Sequence, residues 1–520
     1  MGDQYSILSE AEARHLLRRT GFDVKAFDVL RLTGDTRDQA TRRLTSRRGT
    51  SYRPRVRYNV HDQDLRREVH DAWLAYMLRT SKQFQEKLVL FWHDHFACSN
   101  EDVKDLTLMS NQNRLLRRKC LGNVANESFK DFVKAINRDA AMMEFLDTNR
   151  NTKNKPNENY ARELQELFTL GVTDLNGVPN YTQEDIVQIA RAFTGWKYDT
   201  TSALYGQAFM NVAQHDFGTP KTIFTTVGGF GGSGRDITEN GTGQIEIDTV
   251  VDILFDHRDS DGASTVARHI TYKLLAYLAG ADPDKATIDD IIAKSDFDGS
   301  TDPDEAWQLG RLLREILVHD FFYATASQPR SVKWPVDFVV TTLRTLKMKL
   351  ATTKFTKTIT VNGSDKLVTI SRAHLLNDTA NRDSIKDRLV GMGQLLFEPP
   401  SVFGWDWETA WANSGTMLER FAFAVAVAEA RGTGRMAFRP DRLVALGLTD
   451  PGEIVDAVTG LFDLGDQFGV GSAERDALID YLTDGGAIPP PLDLTNQAFR
   501  DNKLNGLFCL VLESPAFQLQ

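Results

Sequence analysis

Three short stretches hold most of the side chains able to do chemistry. The first is Leu90-Phe-Trp-His-Asp-His-Phe96, in which two imidazoles flank a carboxylate. On a strand or an extended turn, His93 and His95 would point the same way and could share a divalent ion. A helix forbids that. The stripe Phe84, Leu88, Phe91 and Trp92 predicts a helix, and at about 100° per residue it puts His95 on the apolar face and His93 about 200° away, free to line a site. Joint ligation therefore requires the helix to break near His93.

The second stretch is Pro156-Asn-Glu-Asn-Tyr-Ala-Arg-Glu-Leu-Gln-Glu-Leu-Phe168. Tyr160, Leu164, Leu167 and Phe168 form its apolar side. Glu158, Arg162 and Glu166 fall four apart in one polar row, with Asn159 and Glu163 in the next. Read plainly, this is an exposed helix laced with i, i+4 ion pairs. Read functionally, it presents carboxylates and an arginine to a cleft for acid–base work or cation ligation. The preceding amide-rich loop, Asp147 to Lys155, suits turns or polar contacts to a sugar or phosphate. Asn157 and Asn159 are candidate substrate contacts of the same kind. The third stretch, His215-Asp-Phe-Gly-Thr-Pro-Lys221, places a histidine, an aspartate and a lysine on a non-helical segment, where they could supply ligands, a proton shuttle or an anion contact.

The elements that must position these groups are helices. Periodic apolar stripes mark 66–77, 84–96, 107–120, 158–170, 183–193, 265–278, 306–317 and 417–428. Thr182 and Asp185 fit a reciprocal cap for one of them. Strand signals are local: 356–360 and 366–370 alternate about Asn362-Gly363, a β-hairpin inserted in the helical body. The Gly-rich run from Val227 to Gly234 lacks a Gly-Lys-Ser/Thr ending, so it reads as a mobile surface loop and not a phosphate cradle. The expectation is a mainly α fold: a large multi-helix body with a small hairpin and irregular Gly-rich loops. Its regions are 1–240 with the polar site, 241–435 with the hairpin, and 436–520 as short helices packed on the body.

Composition narrows the classes. With 61 basic against 71 acidic residues the net charge is -10, which argues against general nucleic-acid binding. The arginine run Arg42, Arg43, Arg47, Arg48, Arg53, Arg55 and Arg57 reads as a solvated loop. Cys98, Cys120 and Cys509 are too few for a disulfide framework or a cysteine zinc site and read as buried thiols. No stretch has the length of a membrane span. No signal peptide opens the chain, which reads as cytoplasmic as written and as exported if a leader has been removed. Nucleophile-elbow, His-Glu-x-x-His and Walker motifs are absent.

Taken in order, Ala11 to Phe22, Phe91-Trp-His-Asp-His-Phe96, Pro156-Asn-Glu-Asn-Tyr-Ala-Arg-Glu163, Tyr181-Thr-Gln-Glu-Asp185, Arg191-Ala-Phe-Thr-Gly-Trp196 and Phe397-Glu-Pro-Pro-Ser-Val-Phe-Gly-Trp405 resemble the bacterial family catalogued as domain of unknown function 1800 (DUF1800). The resemblance covers about residues 8 to 430 and implies no assigned activity. It does imply a bacterial protein, often encoded beside a sulfatase- or phosphatase-like protein, which becomes the candidate partner. It also implies that Trp92, His93, His95, Asn157 to Glu163, His215, Asp216 and Gly218 keep company. The family pattern places Pro-Gly-Gly after the last Gly-Trp, whereas this chain has Gly404-Trp-Asp-Trp-Glu408, which puts that turn in doubt.

The leading expectation is a metal-assisted, hydrolase-like enzyme acting on a phosphorylated, sulfated or glycan substrate. Its catalytic candidates are His93, Glu158, Arg162, Glu163 and His215. The candidate ligands of a divalent ion are His93, His95, Glu163, His215 and Asp216, with Lys221 and Arg162 steadying an anionic group. The alternative is a non-catalytic binding or assembly protein, partner to the sulfatase-like neighbour, in which the polar helix serves as a buried hydrogen-bond network.

Overall fold

The helices start where side-chain caps say they should. Ser9, Thr36, Ser128 and Thr182 each close a reciprocal capping box with the residue three places on, Thr182 pairing with Asp185. The computed structural model describes residues 3–520 except 47–51, 53–55, 57–59, 123–127, 202–203, 219, 240, 325–330, 362, 376–384 and 433–435. The stripes read from the sequence are helices at Gln63–Met77, Gln83–His95, Leu106–Lys119, Asn159–Glu166, Gln183–Ala192, Thr265–Ala279, Leu309–Val318 and Ser414–Glu429.

Among the described residues, the strands form three two-stranded antiparallel sheets: β1 (Trp196–Tyr198) with β2 (Ala208–Met210), β3 (Thr222–Ile223) with β4 (Arg235–Asp236), and β5 (Ala351–Val361) with β6 (Ser364–His374). The fold is mainly α, as expected. The last sheet is the hairpin, longer than its alternating core because the Thr356↔Thr369 register runs on to Ala351↔His374. It lies on the Gln63–Met77 helix, where Asp71 accepts from the Ala373 amide at 2.8 Å and Lys357 reaches Asp62 and Asp64. Asn362 of its turn lies outside the described residues. The Gly-rich run joins β3 to β4. Its Gly228, at φ +78°, presses so closely on the His257 ring that a Cβ there would lie 2.5 Å from it.

At the centre lies the Gln83–His95 helix, buried at every position from Phe84 to His95. A helix apolar on one face only was expected. Polar side chains around the whole circumference are covered because chain from both ends of the sequence wraps them. Trp92 is fully buried, stacked on Phe96 and Phe129 at 5.6 and 5.5 Å between ring centroids. Truncating such a side chain costs about 3–5 kcal/mol.

Packing also ties residues far apart in the chain. His215 and Lys221 meet Glu246, Arg138 meets Asp248, and Arg420 reaches Gln518 at 3.1 Å. The expected break near 435 adjoins residues 433–435, which lie outside the described set, as do Arg47, Arg48, Arg53, Arg55 and Arg57; Arg42 and Arg43 pair with Asp38 and Asp35. Cys98 and Cys120 are buried free thiols, while Cys509 is only partly buried.

Candidate functional site

The helix carrying His93 and His95 does not break. It runs unbroken through His95, so the condition for joint ligation is not met and the two imidazoles serve different segments. The Phe397 amide donates to His93 Nε2 at 3.0 Å, which requires the Nδ1–H tautomer. His95 Nε2 donates to the Phe168 carbonyl at 3.3 Å, which requires the opposite tautomer. His93 is therefore no free face residue. Burial pushes its pKa down to about 3, and burial, with Lys273 and His269 adding, holds His95 well below the ordinary value.

The carboxylate helix, Asn159–Glu166, meets this histidine pair through its backbone. His95 and His269 donate to the carbonyls of Phe168 and Leu167, just past the helix end. Its polar row is the plain ion-pair face: Glu158 Oε2 takes Arg162 at 3.3 Å and Gln183 at 2.8 Å, and both partners of the pair are well exposed. The Glu163 side chain has no hydrogen-bond partner among the described residues; partial burial, with Glu166 beside it, pushes its carboxyl up to about 6. Asn157 caps the helix by accepting from the Asn159 amide, and Asn151 accepts from the Asn157 amide, so these amides are spent on chain geometry.

The third stretch folds inward. His215 Nε2 lies 3.1 Å from Glu246 Oε1, and Lys221 Nζ lies 2.9 Å from Oε1 and 2.8 Å from Oε2 of the same carboxylate. All three side chains are buried, so Lys221 is closed to any ligand. On the other ring nitrogen, His215 Nδ1 meets the Thr194 carbonyl at 2.7 Å. Asp216 turns away to Arg191 at 2.7 Å; partial burial raises its carboxyl, but this bond carries it below the usual value.

The expected ligands His93, His95, His215 and Asp216 are thus each committed to other partners, and Glu163 stands apart from them without one. Among the described residues no group of three or more His, Cys, Asp or Glu side chains is arranged to hold a metal ion. The donor set does not fit a shared ion.

What the structure does bring together was missed by the sequence reading. Asp94 is buried between its two histidines, and its Oδ1 and Oδ2 accept from the Trp405 amide at 2.6 Å and the Trp407 indole at 2.9 Å. The turn that presents these donors requires Gly404, at φ +83°, because a Cβ there would collide with Asp94 Oδ1. The departure from the family pattern, Trp407, is therefore the residue that bonds Asp94. Burial pushes the Asp94 carboxyl up to about 7 against those two hydrogen bonds, while Lys273 acts to lower it.

Lys273 stands one turn after His269 on the Thr265–Ala279 helix. It has no hydrogen-bond or ion-pair partner among the described residues. Burial of its amine lowers its pKa, opposed only by Asp94. The side chain is partly exposed, and its route to solvent is a cavity of about 640 Å³ lined by Tyr272, Lys273, Ala276, Gly280, Ala281, Asp282 and Trp407. A cavity of about 60 Å³ between Leu17 and Gln85 is smaller, and two of its charged groups are already paired, Asp23 with Arg344 and Arg43 with Asp35.

Burial presses both groups toward their neutral forms, Lys273 in the cavity wall and Asp94 outside its lining. The signal that could have found Lys273 is its interruption of the apolar stripe of residues 265–278, four places from His269.

This is a mainly α protein with a cavity whose wall carries Lys273 between Tyr272 and Trp407. The chain belongs to the family described as "Protein of unknown function (DUF1800)", whose model matches residues 15–519. No curated protein and no solved structure matches it.

Proposed function

We propose that the protein is an enzyme-type binder of a polar, sugar-sized ligand, with Lys273 as its acid–base group and Asp94 as the buried charge that tunes it. The observation that carries this reading is the Lys273 amine, unpaired in the wall of a cavity of about 640 Å³ with Asp94 as its only favourable charge. The Trp407 and Tyr272 rings offer faces for a pyranose, and Asp282, which accepts from the Tyr272 hydroxyl at 3.0 Å, offers a hydroxyl acceptor. Lys273 is the one cation in that lining, which favours a glycan over a phosphate or sulfate ester, since such anions are usually gripped by several donors. Because the expected metal ligands do not converge, no step of the reaction is routed through an ion.

The test is thermal-shift screening of glycosides, uronic acids and phosphate and sulfate esters against the wild type, Lys273→Met and Trp407→Leu. The expected result is a glycoside-dependent rise in Tm that both variants lose while still folding cooperatively. A rise retained in both variants refutes the reading.

The alternative, a non-catalytic assembly protein that partners a sulfatase-like neighbour, draws support from the His215–Glu246–Lys221 cluster, a fully buried polar network of the kind that fixes packing. Under it, co-purification with that neighbour would survive Lys273→Met.

A further inference from the structure

The hairpin of β5 and β6 is fastened to the body through one strand. β6 lies against the Gln63–Met77 helix, where the Ser371 amide donates to Glu68 at 3.3 Å and the Ala373 amide to Asp71 at 2.8 Å. Those two amides point away from β5, which fixes the parity of the ladder. Their partners in register, Lys354 and Thr352, and every second residue beyond them, must turn their own N–H and C=O groups away from β6. The outward set is Thr352, Lys354, Thr356, Thr358 and Thr360. Among the described residues no hydrogen bond reaches the backbone of these five from outside the hairpin, and all five side chains are exposed. Pairing runs without a bulge from Ala351↔His374 to Val361↔Ser364, and the strand has no proline.

An open edge of that length is a template for a further strand unless charge, proline or a bulge blunts it. Lys354 is the single charge in the outward set, and the other lysine of the strand, Lys357, is held by Asp62 and Asp64 at 2.8 Å each. We propose that the β5 edge is a self-association surface, on which β5 of a second copy pairs antiparallel about a two-fold axis through Thr356. The stretch Thr352-Thr-Lys-Phe-Thr-Lys-Thr-Ile-Thr360 suits that register: Thr356 meets its counterpart, Thr352 meets Thr360, and Lys354 meets Thr358, so no like charges stand opposite each other. Each of these pairs exchanges two backbone hydrogen bonds, about ten in all. The charges complement as well. On the exposed face Lys354 stands toward the open end of the hairpin and Asp365, paired in register with Thr360, toward the turn. Inverting a second hairpin against the first sets each Lys354 at the same end as the second copy's Asp365. The two-fold match and the opposed charges favour a second copy over an unrelated strand. Nothing in this pairing involves Lys273 or its cavity.

The experiment follows the full chain by sedimentation velocity across the micromolar range and reads amide hydrogen exchange along β5 at the same concentrations. The expected result is a monomer–dimer equilibrium in which a rising dimer fraction slows exchange at the outward amides. Thr356→Pro removes an outward N–H and spares the β5–β6 ladder. It should raise the dimer Kd on the order of tenfold or more, because both hydrogen bonds at the axis are lost. Lys354→Glu should weaken the dimer at low salt, and adding Asp365→Lys should restore it. Each variant is checked for folding by its unfolding transition. A chain that stays monomeric throughout, with β5 amides exchanging freely, overturns the proposal. So does a dimer that Thr356→Pro leaves unchanged, which places the interface elsewhere, and so does slow β5 exchange in a monomer, which means that another part of the same chain covers the edge.

Discussion

Gly404→Ala isolates the contact on which the candidate site depends. The residue sits at φ +83°, where a side chain costs about 1–2 kcal/mol in backbone strain. Its new Cβ would lie 2.7 Å from the Asp94 carbonyl oxygen and 2.8 Å from Asp94 Cγ, so one partner must move. Asp94 is held in a buried helix, and the turn, tied to it by these two hydrogen bonds, is the partner that gives way. That leaves one or both Asp94 oxygens without the Trp405 and Trp407 donors, at about 1–3 kcal/mol for each buried group left unsatisfied. Strain and lost bonds together come to about 2–8 kcal/mol, against a typical total stability of about 5–15 kcal/mol. Urea unfolding followed by tryptophan fluorescence should show the loss, and the double variant with Asp94→Ala should recover part of it, since removing the carboxylate removes the clash. A cost below about 1 kcal/mol, or strict additivity in the double variant, would refute the argument that this contact fixes the turn.

The pH response follows from burial. His15, His93 and His269 are pushed down to about 3, and His257 to about 4, in each case first by burial. The unfolded chain takes up protons below its ordinary histidine value near 6.5 and the fold does not, so stability falls as pH drops through that window, by about 2 kcal/mol per histidine at pH 5. Asp94 and Asp139, both pushed up to about 7 by burial, act in the opposite sense. They favour the fold as pH falls from 7, by about 2 kcal/mol each at pH 5 on the same scale. Four histidines outweigh two aspartates, and the urea midpoint should be lower at pH 5 than at pH 7.5; a higher midpoint would sink this reasoning. Separately, Glu246→Ala strands Lys221 as a buried unpaired cation and should cost about 3–5 kcal/mol, with partial rescue by a second Lys221→Met change, both measured by denaturant unfolding.

The helical frame was legible because caps and periodic stripes are local signals: Thr182 with Asp185 and the 265–278 stripe both landed within a residue or two. The hairpin was legible in its alternating core but not its full length, since the outer pairs are held by the helix beneath. The site was harder. The sequence gives the angle between His93 and His95, but what covers each ring arrives from Phe397 and Phe168, some 300 and 70 residues away. Glu246 opens an ordinary helix, and only the fold reveals that it meets His215 and Lys221. Asp94 stood in plain view between two histidines and was passed over, because a carboxylate on a helix gains its interest only from the tryptophan turn that buries it.

Consecutive residues on a helix point about 100° apart, so the stretch from His93 to His95 can be satisfied only by partners on three sides. The structure supplies them: the Phe397 amide, the Trp405–Trp407 turn and the Phe168 carbonyl. The stretch is therefore first a clamp, and its chemistry, where it has any, is built on that clamp. This gives the variants unequal value. Changing Asp94 removes the buried charge nearest in effect to Lys273 and releases the turn that sets Trp407 in the cavity wall, so lost function there cannot be separated from lost structure. Lys273 holds no other segment by a hydrogen bond or ion pair among the described residues, so a change there alters the cavity while sparing the clamp. A ligand response that disappears with Lys273 in a fully folded protein would have to come from the amine itself.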